Sequence, residues 1–173
     1  MITLSVDICN PISQKIYNDI ISSLQFHQLS CPCGHSGCLI GHGYYNRYIK
    51  ADGNKVSLKI CRVKCKICNT THALLLASIV PYSQISLEDQ IDIVSSYTQS
   101  EEGSSVMERN SLIDENNIKS IIRQYRQHWQ QRLISEKIPL SPVFDLVKQC
   151  FSFLNRQFMQ IKCTPNILFL RPT

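Results

Sequence analysis

The chain carries few of the features that mark an enzyme. It has no phosphate-cradling glycine loop, no nucleophile elbow and no zinc-protease helix motif. Acids are sparse, 13 Asp and Glu against 18 Lys and Arg. They crowd into residues 85–115, where helix caps and helix surfaces account for them. DNA-cleaving chemistry usually needs carboxylates converging on a divalent ion from separate strands, and no such set is visible. No catalytic residue and no small-molecule substrate is therefore expected. The longest apolar run, Ala73 to Ala77, is far too short to span a bilayer, so no membrane partner is expected. The opening MITLSVDICNP lacks a basic stretch followed by an apolar one, so no secretory leader is expected. Repeats and low-complexity tracts are missing too. A hydrophobic content of 43% suffices for a folded core.

What the chain does have is cysteine, nine in all. Without a leader the expected setting is the reducing cytoplasm, where thiols bind metal more often than they form disulfides. The thiols gather in two places. One reads Cys31-Pro32-Cys33-Gly34-His35-Ser36-Gly37-Cys38, the other Cys65-Lys66-Ile67-Cys68-Asn69. Between them, Tyr44-Tyr45-Asn46-Arg47-Tyr48-Ile49 reads as a strand. Asp52-Gly53-Asn54 is a hairpin turn signal. Val56, Leu58 and Ile60 then alternate with polar residues at the strand period. Knuckle, hairpin, knuckle is the plan of a zinc ribbon.

A thiolate knuckle turns sharply, and the residue after its second cysteine often needs a left-handed backbone. Gly34 and Asn69 occupy those places and tolerate that conformation. Cys33 and Cys68 are thus expected ligands, and the two-residue spacing adds Cys65. Cys31 ranks first for the fourth place, with Cys38 as its alternate and His35 third. Thiolate donors favour structural Zn²⁺, with iron as the competitor. Cys61 reads as a small core residue, and Cys9, Cys150 and Cys163 as packed thiols. His42 and His72 flank the knuckles, within reach of sulfur or phosphate.

The net charge of +5 is unevenly spread. Residues 47–66 hold seven Lys or Arg and one acid, residues 119–132 four and none, and residues 85–115 eight acids and one Arg. Two basic surfaces joined by an acidic connector suggest a polyanionic partner. On the hairpin, Arg47 and Lys50 interleave with Tyr44, Tyr45 and Tyr48, and Arg62, Lys64 and Lys66 follow.

After Pro81 the pattern turns helical. Ser86-Leu87-Glu88-Asp89 reads as a capping box, with Leu87, Ile91, Val94 and Tyr97 at helical spacing behind it. A short helix is expected from Ser105. Asp114 should cap a longer one with the apolar stripe Ile118, Ile121, Ile122, Tyr125, Trp129 and Leu133. Beside that stripe run Lys119, Arg123, Arg126 and Gln130, with Asn116, Asn117, Ser120 and Gln124 near the start. Long helix, short helix, turn and polar helix make a helix-turn-helix-like order. Its last helix would be offered to the major groove. Arg and Lys there suit phosphate or guanine, Asn and Gln suit adenine. Ser141-Pro142 opens a further helix with the apolar face Val143, Leu146, Val147, Cys150, Phe151, Leu154 and Phe158. That C-terminal helix is a candidate homodimer surface. The apolar segment 166–170 is expected to pack on the core or on a second subunit.

The fold expected is α+β: an N-terminal segment (1–30), a small zinc-ribbon β-hairpin module (31–80), a helix-turn-helix-like region (81–138), and a C-terminal helix with an extension (139–173). Taken together, CPCGHSGC, GHGYYNRY, RVKCKICNTTHALL, IVPYSQIS and RQFMQIKCTPNILF resemble an uncharacterised bacterial domain-of-unknown-function family. Its members are short, transposase-like proteins, similar in layout to the amino-terminal part of insertion-sequence transposases. The resemblance covers nearly the whole chain from about residue 25. It implies DNA binding tied to a mobile element, with Cys65, Cys68 and Cys33 carrying over as ligands. The tight Cys31-Pro32-Cys33 spacing departs from the usual two-residue knuckle. A transposase's catalytic region has no counterpart. Duplex DNA is therefore the expected partner, bound at the ends of a mobile element or, alternatively, at an operator by a transcriptional regulator. A protein-interaction module with structural zinc is the reading from another class.

Overall fold

A computed structural model describes residues 1–4, 12–51, 53–99, 105–162 and 168–170. It is mixed α and β, and the chain groups into two compact units. Unit 1 takes residues 1–48, 57–77 and the C-terminal segment; unit 2 takes 49–56 and 78–162. Cys9 and Cys163 lie outside the described residues.

Unit 1 carries a five-stranded sheet, apart from the hairpin tip at 49–56, with one α-helix and a short 3₁₀ turn (Phe26–Gln28) among the described residues. The strands are β1 (Ile2–Leu4), β2 (Leu39–Ala51), β3 (Asn54–Cys65), β4 (Thr71–Leu76) and β5 (Leu168–Leu170), and α1 spans Gln14–Ser23. The sheet order is β2-β3-β4-β1-β5. β1 runs parallel to both neighbours, with Ile2 opposite Leu74 on one side and Leu168 on the other. Strands shielded on both faces read as continuous apolar runs, which Leu74-Leu75-Leu76 supplies. Of the 166–170 extension, the last three residues pair with β1 as β5. β3 and β4 pair antiparallel, Arg62 opposite Ala73 and Lys64 opposite Thr71.

Beyond Arg62 side chains of α1 enter that ladder. Ser13 caps α1 by accepting from the Ile16 N–H. One turn on, the buried Tyr17 hydroxyl accepts from Cys61 N–H (2.8 Å) and donates to Leu74 C=O (2.9 Å). The Gln14 side-chain amide likewise accepts from Lys59 N–H (2.6 Å) and donates to Lys59 C=O (3.4 Å). Buried backbone groups without partners are costly, so Tyr17 stands in for a strand bond at Cys61 and Leu74; Gln14 does so at the exposed Lys59.

Unit 2 holds the remaining helices: α2 (Leu87–Thr98), α3 (Ser105–Arg109), α4 (Glu115–His128), α5 (Gln130–Ser135) and α6 (Val143–Leu154). Ser86 accepts from Asp89 N–H and Asp114 from Asn117 N–H, so both expected caps form. α2 packs on α4. The core gathers Leu87, Ile91, Val94, Ile121, Tyr125, Trp129 and Leu133. The expected long helix divides at Trp129, which leaves helical geometry (φ −123°, ψ −39°) while its buried ring meets Phe158 edge-on, 5.4 Å between centroids. In α6 the cap position falls on Pro142, one residue later than expected, and Ser141–Pro142 is cis. Asn155 closes that helix at φ +50°, a conformation Asn tolerates. No helix among the described residues is long and apolar enough to cross a membrane.

Candidate metal centre and nucleic-acid interface

The first knuckle is set by short backbone bonds: Gly34 N–H donates to Cys31 C=O and Cys31 N–H to His35 C=O, both at 2.8 Å. In the second, Cys65 N–H donates to Thr70 C=O at 3.0 Å. Gly34 (φ +93°) and Asn69 (φ +59°) adopt the left-handed backbone expected of them. Lys66 N–H donates to Cys38 C=O at 2.9 Å and holds the two segments together.

This framework brings Cys31, Cys33, Cys65 and Cys68 together, with all four sulfurs within 4.8 Å of one another. Cys31 Sγ lies 3.7 Å from Cys68 Sγ, and Cys33 Sγ 3.8 Å from Cys65 Sγ. A tetrahedral ion with metal–sulfur bonds of about 2.3 Å sets its sulfurs about 3.8 Å apart. The four thiols therefore fit a metal ion. Cys31 and Cys65 are buried while Cys33 and Cys68 reach the surface.

The surroundings tune the sulfurs differently. Burial alone would raise the Cys65 thiol, but the N–H groups of Cys68 (3.4 Å) and Ile67 (3.3 Å) aim at its sulfur and lower it to about 6. The Thr70 hydroxyl and N–H lower Cys68. Burial raises Cys31. His72, also buried, has Nε2 at 3.4 Å from Cys31 Sγ, and His35 Nδ1 lies 3.3 Å from Cys33 Sγ. Burial, helped by the amino-terminal charge, lowers His72 to about 4 and keeps it neutral.

Cys38, the alternate ligand, stands outside this group of four. Its thiol donates to His35 C=O (3.2 Å) and lies 3.4 Å from Cys65 Sγ, a second contact around the cluster. Cys61 and Cys150 are buried, and burial pushes Cys150 up to about 12, so both behave as packed thiols.

The predicted nucleic-acid residues fall in both units. In unit 1, Lys66 is exposed, Arg47 and Lys64 are half-buried, and half-buried Arg62 has a buried Nε with no partner among the described residues. In unit 2, Lys119, Arg123, Arg126 and Asn116 are exposed on α4, and Asn117, Ser120 and Gln124 are half-buried. Lys119 pairs with Glu115 at 2.9 Å, and Gln124 donates to Ser120 at 3.4 Å. Lys50 is placed otherwise than expected. Its ammonium donates to Leu112 C=O (2.8 Å) and Asn117 Oδ1 (3.1 Å), and its backbone bonds Gln84 and Ser86. Lys50 thus fastens the hairpin tip to the start of α4.

One face of α4 forms a surface concavity of about 600 Å³, lined by Lys119, Ile122, Arg123, Arg126, Gln127 and Gln130. Gln127 was not singled out by spacing; it lies on the far side of the cationic stripe from the apolar one.

Residues 31–114 match the family model described as a domain of unknown function (DUF6431). The match spans all four thiol donors and the hairpin, and it ends at the cap of α4. Nothing among curated proteins and nothing among solved structures matches the chain.

Proposed function

We propose that this is a zinc-containing DNA-binding protein, transposase-like or transposase-derived, that recognises duplex DNA without cleaving it. The observation that carries the reading is α4. One face buries Ile121 and Tyr125, and another exposes Lys119, Arg123 and Arg126 around a concavity. With α3 and a tight turn before it, this is a helix-turn-helix-like order with α4 as the reading helix. Guanidinium groups there suit phosphate and guanine, and Asn116 and Gln124 suit adenine edges.

Zinc is the assignment for the thiol site because four sulfur donors at tetrahedral spacing select it. Cys31, Cys33, Cys65 and Cys68 would hold it, and the ion would supply structure at the base of a zinc-ribbon hairpin. Sulfur occupies every position in such a set, which leaves no place for a substrate. A cytoplasmic setting suits the free thiols.

The test is duplex selection from a random pool with the metal-loaded chain, followed by affinity measured against salt. Affinity should fall steeply as salt rises. Arg123→Ala with Arg126→Ala should weaken binding and flatten the log–log salt slope by about 2. Salt-independent binding, or none, would overturn the reading. Selected inverted terminal repeats would indicate a mobile element, and a promoter a transcriptional regulator. A second reading, a protein-interaction module or homodimer built on α6, is favoured by Phe153, which is 60% exposed there. Under that reading Phe153→Ser would change the mass in solution and the α4 variants would change nothing.

A further inference from the structure

The outer face of β2 has no part in the α4 reading and lies in unit 1 alone. Tyr44 and Tyr48 stand four residues apart on β2, the spacing that shares a strand face, and are 53% and 46% exposed. β2 is an edge strand, so this face lies at the rim of the sheet. Large rings are normally drawn inward, and two on one face of an edge strand are unusual. At the usual strand rise their Cα atoms stand about 13 Å apart, far enough for each ring to take its own base.

The charges on these strands are of one sign. In the stretches of β2 and β3 within unit 1, residues 39–48 and 57–65, there are four Lys or Arg and no Asp or Glu. The Lys59 ammonium lies over one face of the Tyr44 ring, 5.2 Å from its centroid, so a cation accompanies the exposed ring. A single nucleic-acid strand offers what this surface lacks: a line of negative charge with flat bases that stack. A duplex hides its base faces and would leave the rings unmatched.

We propose that the outer face of β2 binds single-stranded nucleic acid, with bases stacking on Tyr44 and Tyr48 and Lys59 meeting the backbone. The site goes beyond duplex recognition and does not depend on it.

The experiment uses the full, metal-loaded chain with labelled oligothymidylate and oligouridylate, and an abasic strand of equal length as the control. Both base-bearing strands should bind and quench tyrosine fluorescence, and the abasic strand should bind much more weakly. A preference between the two says whether the natural ligand is DNA or RNA. Tyr44→Ala with Tyr48→Ala should weaken binding about tenfold or more per ring. Tyr44→Phe with Tyr48→Phe should keep it, because stacking needs the ring and not the hydroxyl. Metal content and duplex affinity report that the alanine variant is folded and should be unchanged. Arg123→Ala should weaken duplex binding and leave the single strand bound, which separates failure of one site from failure of the other. Equal binding of the abasic strand, or alanine variants that bind as the parent does, would overturn the proposal.

Discussion

His72 Nε2 lies 3.4 Å from Cys31 Sγ, while its Nδ1 lies 2.9 Å from the amino-terminal nitrogen of Met1. The amine donates, so Nδ1 accepts, and the ring proton of the neutral imidazole is left on Nε2, facing sulfur. A donor on a thiolate lowers its charge density and fixes its direction, as partners of metal ligands commonly do. His72→Phe removes that donor. It should weaken metal affinity by about 10- to 100-fold. Competition with a chromophoric chelator measures it, and His72→Gln should recover part of the loss. Unchanged affinity in His72→Phe would show that the contact carries no energy.

Metal uptake should depend on pH in a way set by Cys65. With N–H groups holding its thiol at about 6, Cys65 in the metal-free chain is already thiolate at pH 7 and gives up no proton on binding. The raised Cys31 thiol does give one up. Fewer than four protons should therefore leave per ion at pH 7. Below pH 6 the free chain protonates Cys65 as well, so the count rises by one. The metal-free form then holds more protons than the bound form, and affinity falls more steeply with acid. Calorimetry in buffers of differing ionisation enthalpy reads the count directly. Four protons at pH 7 would contradict the lowered Cys65.

Tyr17 is a structural analogue of the same logic. Tyr17→Phe leaves Cys61 N–H and Leu74 C=O buried without their shared partner. The loss should be about 1–3 kcal/mol, read as a lower urea midpoint with an unchanged slope. Burial also raises the Tyr17 phenol above its usual value. Above pH 10 the unfolded chain ionises there while the folded chain keeps its proton. The folded state then binds more protons, and this contribution is lost as pH rises. In the phenylalanine variant that alkaline loss should be absent.

Local chemistry was legible in the sequence, and distant pairing was not. Gly34 and Asn69 announce left-handed knuckles because few other residues tolerate them, and Ser86 and Asp114 announce caps for an equally local reason. Gly34 and Asn69 likewise pointed to Cys33 and Cys68 as ligands, and the two-residue spacing added Cys65. Geometry groups Cys31 and not Cys38 with the other three thiols, and the Cys38 thiol turns to His35 C=O. Residues 1–30 showed no pattern, yet they hold β1 and α1. A three-residue parallel strand has no period to read, and its partners stand more than seventy residues away. The bond from Lys50 to Leu112 C=O was equally hidden, because sequence shows charge and not the carbonyl that receives it.

Asp89 offers the sharpest test of how unit 2 holds together. Its carboxylate is buried in the first turn of α2, where Ser86 Oγ and Asn110 Nδ2 donate to one oxygen (both 2.9 Å) and Arg109 to the other (2.8 Å). Asn110 is fully buried and sits just past α3, so this one group ties α3 to α2. Asp89→Ala strands a buried amide and a guanidinium. Removing one side of a buried charge pair costs about 3–5 kcal/mol, but Arg109 is 45% exposed and keeps Asp92 at 2.7 Å. The expected loss is therefore smaller, about 2–3 kcal/mol. Asp92→Ala breaks only the exposed contact and should cost under about 1 kcal/mol. Asp89→Asn keeps one acceptor oxygen and should fall between the two. Urea unfolding of the three variants checks the order, and equal losses at Asp89 and Asp92 would show that burial adds nothing to this pair.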